Sequence, residues 1–287
     1  MPDYIQADMF SVKQIKDLCK AIGLRPVKNK GQNFLINKAV LDDILAAACI
    51  GKEDSVVEVG PGLGVLTQSL VERAKKVLAI ELDARLYNYL KDRFSGQGNL
   101  DLIQADVISL LKDNPNGFLP QGKYKLVANL PYQITSHFLR LILQFNPKPI
   151  RAVLMVQLEV GQRICARVGK MSMLSVMAQY YGRIEIIKTV GRQSFWPVPE
   201  VDSAILKIDL KPMQGLLPAE QEVNFFRLVK IGFSSRRKKL INNLAGVFGK
   251  KAVLECLKQL GIDLNIRAQE LSVSDWVQLS LELDKHN

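Results

Sequence analysis

The sequence predicts an α/β protein in which a mostly parallel sheet, covered by helices on both faces, is followed by a small all-α domain. Three observations carry this expectation. Short apolar runs alternate with stretches of helical spacing from about residue 56 to residue 156, the pattern of successive strand–helix–strand units. The alternation breaks after Leu158, where two strand-like runs follow each other with no long helix between them. From about residue 218 onward every periodic segment is helical.

The elements follow in order. Ser11, ahead of Val12, Ile15, Leu18 and Cys19, reads as the cap of an amphipathic helix that Gly23 ends. Residues 25–31, Arg-Pro-Val-Lys-Asn-Lys-Gly, form a basic, irregular connector. A second helix is expected from Lys38 to about Ile50, with Gly51 past its end. Val56–Val59 is a strand entering a glycine turn, and Leu66–Ala74 is the helix behind it. Val77–Ile80 and Arg85–Phe94 are the next strand and helix. Leu100–Ile103, Lys125–Ala128 and Arg151–Val156 continue the strand series, with a helix over Thr135–Leu143 between the last two. Such near-continuous apolar runs suit parallel strands buried on both faces. Met173–Tyr181 has helical spacing, and Arg183–Val190 and Ala204–Leu210 are expected to pair antiparallel and close the sheet. Lys211-Pro212-Met213-Gln214-Gly215 is the linker candidate. The expected division is residues 1–211, of which 1–30 are the N-terminal helix and connector, and a helical domain over residues 212–287. There are no internal repeats and no low-complexity tract.

Composition narrows the function class. The 287 residues are 48% hydrophobic, enough for one large domain and a small one. A net charge of +11 favours nucleic acid or an anionic surface as partner. No apolar run approaches the roughly 18–20 residues that span a bilayer. The N-terminus, Met1–Phe10, is polar and carries Asp3 and Asp8, unlike a secretory leader. Cys19, Cys49, Cys165 and Cys256 are scattered and read as reduced packing residues of a cytoplasmic protein. With His137 and His286 the only histidines, neither a histidine triad nor a His/Cys metal site is expected.

Two motifs carry chemistry. The first is Glu58-Val59-Gly60-Pro61-Gly62-Leu63-Gly64, a strand running into glycines that let a ligand approach the backbone. The dinucleotide fingerprint wants glycine where Val65 stands. Glu58 adds negative charge where a pyrophosphate would lie. Both points favour a cationic ligand such as the sulfonium of S-adenosylmethionine, although a tight turn without a ligand also fits the glycines alone. Glu81 closes the next strand, placed to accept from both ribose hydroxyls. Asp106 closes the third, placed to accept from the adenine amine of that ligand. Either acid alone also fits a solvated loop; acids at successive strand ends point to one bound adenosyl group.

The second motif is Asn129-Leu130-Pro131-Tyr132, after the run Lys125–Ala128. An exocyclic adenine amine is a poor nucleophile because its lone pair is delocalised into the ring. The Asn129 side-chain oxygen and the Leu130 carbonyl can accept both amine hydrogens and favour the pyramidal, attacking form. Pro131 keeps Leu130 out of the helical region, which can aim that carbonyl, and Tyr132 can stack on the purine. No strong general base is needed, since the methylated amine is acidic. Rate acceleration then comes from positioning and electrostatics.

With Gly31–Leu35, Glu58–Gly62, Ile80–Asp83, Asn129–Tyr132, Leu174–Gln179 and Phe195–Ala204 in this order, the chain resembles the ribosomal RNA adenine dimethyltransferases. The resemblance is to the branch acting on small-subunit rRNA and covers roughly residues 11 to 285. It implies the Rossmann-like sheet of class I S-adenosylmethionine-dependent methyltransferases. It implies donor contacts from Gln32, Asn33, Leu35, Glu58, Gly60 and Gly62, and further contacts from Glu81, Leu82, Asp106 and Asn129. It implies that Tyr132 and Phe195 sandwich the target adenine beside Leu130 and Pro131. The implied reaction dimethylates two adjacent adenosines in a hairpin near the 3′ end of small-subunit rRNA, using four donor molecules, within a pre-ribosomal particle. The protein is expected to act as a monomer. The chain departs from that pattern at Gln133, where a second asparagine is common, and over Gly169–Met173. Both departures bear on substrate detail.

From Asn224 to Lys251 the chain carries Arg227, Lys230, Arg236, Arg237, Lys238, Lys239, Lys250 and Lys251 and no acid. Ser234-Ser235 is a candidate cap for a helix bearing Arg236, Arg237, Lys238 and Lys239. A solvated basic face accounts for such a run by itself; beside an amine-methylating core, contact with rRNA phosphates is the stronger reading. Competing readings are a large-subunit rRNA adenine methyltransferase, an assembly or transcription factor that keeps the fold without the chemistry, and a small-molecule or protein methyltransferase. The C-terminal basic helices weigh against the last, and intact Glu81, Asp106, Asn129 and Tyr132 against a purely non-catalytic role.

Overall fold

The structure is a computed structural model that describes residues 9–26, 32–113, 118–212 and 215–285. Connector residues 27–31, Met213 and Gln214 of the linker, and His286 lie outside the described residues. Two compact units form. One comprises Met1–Gly161 and Glu185–Leu210, the other Gln162–Ile184 and Lys211–Asn287.

The first unit begins with α1 (Val12–Ala21), where Ser11 accepts from the Gln14 amide and Ile15, Leu18 and Cys19 are buried. A two-residue strand, β1 (Phe34–Leu35), follows. Helix α2 (Lys38–Ala48) comes next; its cap Asn37 accepts from the Ala39 and Val40 amides. The alternation then runs β2 (Ser55–Val59), α3 (Val65–Arg73), β3 (Lys76–Glu81), α4 (Ala84–Arg93), β4 (Leu100–Gln104), α5 (Val107–Asp113), β5 (Tyr124–Asn129), α6 (Thr135–Gln144) and β6 (Arg151–Gln157). The chain continues through α7 (Leu158–Ile164), α8 (Met173–Tyr181), β7 (Gly182–Val190), the short β8 (Phe195–Trp196) and β9 (Ser203–Leu210).

The sheet has the order β4-β3-β2-β5-β6-β9-β7. Strands β2, β3, β4, β5 and β6 are mutually parallel, and β9 runs antiparallel to β6. The two late strands are neighbours as expected, with β9 inserted between β6 and β7. The direction of travel reverses between β2 and β5, so their carboxyl ends open a crevice, the usual ligand position in such sheets. Val56, Val57 and Val59 of β2 and Leu126, Val127 and Ala128 of β5 are buried. This explains their unbroken apolar sequences. The apolar alternation does not reveal the β1–β8 pair, which joins Phe34 to Trp196 and Leu35 to Phe195 as a separate two-stranded sheet.

The second unit holds α8 with α9 (Ala219–Gly232), α10 (Leu240–Phe248), α11 (Lys250–Gln259) and α12 (Val273–Asp284). The C-terminal segment is helical as expected, but this unit also takes in residues 162–184, which the sequence reading placed with the sheet. Aromatic packing is the reason. Tyr180 stacks on Phe225 at 4.7 Å and Tyr181 on Phe226 at 5.6 Å. Glu222 accepts from the Tyr181 hydroxyl at 2.5 Å and from the Tyr180 hydroxyl at 3.3 Å. Burying two tyrosines requires partners for their hydroxyls, and α9 supplies both.

Candidate active site

The crevice between β2 and β5 contains a cavity with about 750 Å³ of non-protein space, part of it open to solvent. Gln32, Asn33, Leu35, Glu58, Gly60, Gly62, Glu81, Asn129 and Pro131 all line it. One cavity therefore gathers residues from the segment before α2, three strand ends and the tetrapeptide. Phe34, Ile44, Leu63, Leu66 and Leu86 complete the wall. Ile44, Leu66 and Leu86 lie on helices whose apolar spacing gave no sign that they face a site.

The glycine turn has its composition for two reasons. Gly60 has φ +72°, and a Cβ there would lie 3.2 Å from the Asn129 carbonyl oxygen. The turn and the tetrapeptide can be this close only because residue 60 has no side chain. Gly64 has φ +78°, and a Cβ would meet Leu90 and Phe94 at 2.8 Å. That glycine seats α3 against α4.

Two carboxylates define the electrostatics. Glu81, only 6% exposed, accepts from the Gly62 amide at 3.1 Å and the Asp83 amide at 2.9 Å. Burial raises its carboxyl above the ordinary range, and these amides partly restore it. Glu58 is 1% exposed, and neither of its oxygens has a hydrogen-bond partner within normal geometry. The fully buried Thr67 hydroxyl also lacks one. Burial pushes the Glu58 carboxyl up to about 8; the neighbouring Thr67 hydroxyl opposes this and the Glu81 charge adds to it. A buried, unpartnered carboxyl beside a cavity is what a cationic or hydrogen-bond-donating ligand would satisfy. The donor set therefore fits an adenosyl sulfonium, with Glu81 for the ribose.

Asn129 ends β5, and its amide nitrogen donates to the Asn33 carbonyl at 3.5 Å. That contact orients the amide so that its oxygen is the available acceptor. The turn after it bonds the Ile134 amide to the Pro131 oxygen at 3.2 Å and the Thr135 amide to the Tyr132 oxygen at 3.4 Å. The Leu130 carbonyl is left out of that turn's own bonds. The half-buried Tyr132 is fixed by its hydroxyl contact with Ser203 Oγ at 2.7 Å.

Other expected site residues stand elsewhere. Leu82 is 67% exposed and Asp106 is exposed, and neither lines the cavity. The Asp106 carboxylate caps α5, accepting from the Ile108 amide at 2.9 Å and the Ser109 hydroxyl at 3.1 Å. Phe195 is 1% exposed within the core cluster, so its ring is covered where a sandwich needs it open. The expected helix over Arg236, Arg237, Lys238 and Lys239 is corrected: these residues form an exposed turn between α9 and α10. Asn243 holds the turn by donating to the Gly232 and Ser235 carbonyls at 2.6 and 3.0 Å. Among the described residues no group of three or more His, Cys, Asp or Glu is arranged to hold a metal ion.

A family model described as ribosomal RNA adenine dimethylase matches residues 26–285. The chain is 44% identical over 272 residues to the ribosomal RNA small subunit methyltransferase A of Dehalococcoides mccartyi strain BAV1, covering 94% of this chain and 92% of that one. It is 39% identical over 275 residues to the protein of the same name from Moorella thermoacetica, covering 93% and 95%. Among solved structures, a dimethyladenosine transferase from Plasmodium falciparum superposes with TM-score 0.77 at 30% identity, covering 88% of this chain and 97% of that one. The 23S rRNA methyltransferase ErmE gives TM-score 0.70 at 27% identity, covering 88% and 100%.

Proposed function

The chain belongs to the ribosomal RNA adenine dimethylase family, and from that premise we propose how its residues carry out the reaction and on which RNA. As a member it is an S-adenosylmethionine-dependent rRNA adenine dimethyltransferase. Its substrate is small-subunit rRNA, dimethylated at the 6-amino groups of two adjacent adenosines in a hairpin near the 3′ end during ribosome biogenesis. The observation that carries the residue assignment is the closeness of the β2 glycine turn to Asn129 across one cavity.

Glu81, Gly60, Gly62, Gln32, Asn33 and Leu35 hold the donor, and Glu58 faces it from below. When bound, the donor supplies an electrophilic methyl group on a positively charged sulfur. The Asn129 side-chain oxygen and the Leu130 carbonyl accept the two hydrogens of the target amine and keep its lone pair on nitrogen. Tyr132 provides the stacking surface for the unstacked base. Phe195, whose ring is buried in the core, is the expected ring on the second side. Asp106 and Leu82, exposed just past the carboxyl ends of β4 and β3, are assigned to the adenosyl end of the donor on the family resemblance.

The turn bearing Arg236, Arg237, Lys238 and Lys239 contacts rRNA phosphates, so residues 212–287 form an rRNA-binding helical domain. Among the described residues no helix is long and apolar enough to cross a membrane. We place the protein in the cytoplasm, acting as a monomer on a pre-ribosomal small-subunit particle. The test is to incubate unmethylated small-subunit particles, with large-subunit rRNA in parallel, with the protein and labelled S-adenosylmethionine. Modified nucleosides are then identified by mass spectrometry. Dimethyladenosine on the small-subunit particle alone is expected. Label on large-subunit rRNA alone would transfer the protein to the branch of the ErmE neighbour. No transfer to either, with the donor still bound, would leave an assembly factor.

A further inference from the structure

We propose that the groove between α1 and Trp196 is a second RNA track on the methyltransferase unit, seating single-stranded rRNA that flanks the target adenosine. The proposal rests on the reading of this protein as an rRNA methyltransferase. Lys16 and Lys20 of α1, then Arg25 and Pro26 beyond it, form one wall, and the Trp196 ring of β8 forms the other.

The chemistry is that of a nucleic-acid groove. Lys16, Lys20 and Arg25 are exposed, and among the described residues none of them forms an ion pair. Lys13, Lys16 and Lys20 recur on one side of α1, with Asp17 as the single acid of that helix. The Lys16 ammonium stands 5.9 Å from the centre of the half-buried Trp196 ring. Cations next to an aromatic face suit a strand that places phosphates on the first and a base on the second. An acidic protein segment would use the lysines and leave the ring without a role.

Position supports the same occupant. Trp196 pairs with Phe34 across the β1–β8 sheet, and Phe34 lines the donor cavity. The groove is therefore one residue pair from the wall of the donor cavity. A base drawn out of its stack needs its neighbouring backbone held, a role that this cationic groove on the same unit fits.

The test uses the full chain with Lys16→Glu and Lys20→Glu combined, both at exposed helical positions. Binding of single-stranded RNA with the sequence of the small-subunit 3′ end is measured over a salt series. Methyl transfer to unmethylated particles and calorimetric S-adenosylmethionine affinity are measured in parallel. We expect about tenfold or greater loss of RNA affinity and a logarithmic salt slope lower by about 0.7 for each lost phosphate contact. Donor affinity should be unchanged. In case charge reversal disturbs α1, Lys16→Gln with Lys20→Gln should reduce the slope equally with a smaller loss of affinity. Ultraviolet crosslinks from rRNA to the peptide bearing Trp196 would support the track. An unchanged slope in both variants, while the unaltered protein binds and methylates normally, overturns the groove and leaves the enzyme assignment standing. Crosslinks from this groove to ribosomal protein alone overturn it in favour of a protein partner. An unaltered protein that neither binds RNA nor transfers methyl removes both readings together.

Discussion

The Glu58→Gln variant isolates the energy held in one buried carboxyl. Glu58 has no hydrogen-bonded partner, is 1% exposed, and has its pKa raised from about 4.5 to about 8. The folded state therefore holds this proton where the unfolded chain has released it. Stability linked to it is fully present below pH 4.5 and is lost as pH rises toward 8, because the unfolded state gains by ionising while the folded state cannot. At about 1.36 kcal/mol per pKa unit, the loss is about 3 kcal/mol by pH 7 and about 4 kcal/mol at pH 8. Glutamine has nearly the same shape and no proton to lose. Urea denaturation of the ligand-free pair at pH 5 and pH 8 is the assay. The variant should gain about 3 kcal/mol relative to the parent between these pH values, whatever constant penalty the buried amide itself brings. Other titrating groups are common to both proteins and cancel. Parallel stability–pH curves would refute the reasoning, since they would mean that Glu58 is solvated or paired in the folded state.

Asn129→Ala should lower turnover by about 10²-fold or more while leaving the melting temperature near the parent value; normal single-turnover rates at saturating donor would remove the amine clamp. Gly64→Ala should destabilise the protein by roughly 2–4 kcal/mol, through the positive φ and the 2.8 Å approach to Leu90 and Phe94, as read by denaturant midpoint. Neutralising Arg236 and Arg237 should weaken RNA binding and reduce the logarithmic salt slope by roughly 0.7–0.9 per lost contact; a slope equal to that of the parent would show that the turn is merely solvated.

The residues legible in advance were those whose position follows from the sheet itself. A strand read from an apolar run has a predictable carboxyl end, and Glu58, Glu81 and Asn129 each stand at or beside one. Gly60 was legible because so close an approach excludes a side chain. Residues whose place depends on distant partners were not. Two-residue strands such as Phe34–Leu35 and Phe195–Trp196 leave no periodic trace, although the first lines the cavity and the second pairs with it. Tyr180 and Tyr181 fit any buried helix until Phe225, Phe226 and Glu222 reveal which unit they serve. Asp106 was expected to face a ligand, but its carboxylate accepts from the Ile108 amide and the Ser109 hydroxyl in the first turn of α5, local bonds that short acidic side chains readily make. The Ser234-Ser235 pair looked like a helix cap, but the Asn243 side chain holds that segment as a turn.

The β1–β8 pairing also sets when the protein can first bind its donor. A chain made from its N-terminus has the glycine turn, Glu81 and Asn129 long before residue 196 exists. Until then Phe34 and Leu35 have no strand to pair with, and the Asn37 amide lacks the Ser194 hydroxyl that it contacts at 3.2 Å in the finished protein. Stabilisation by ligand requires a formed site, so a nascent fragment ending before this pair, with Phe34 and Leu35 of the cavity wall unpaired, is expected to gain less of it. A fragment ending between Trp196 and Ser203 should therefore bind donor better than one ending before Phe195, although β9 of the sheet is still missing. A ribosome-stalled series truncated on either side of Trp196 would locate that onset.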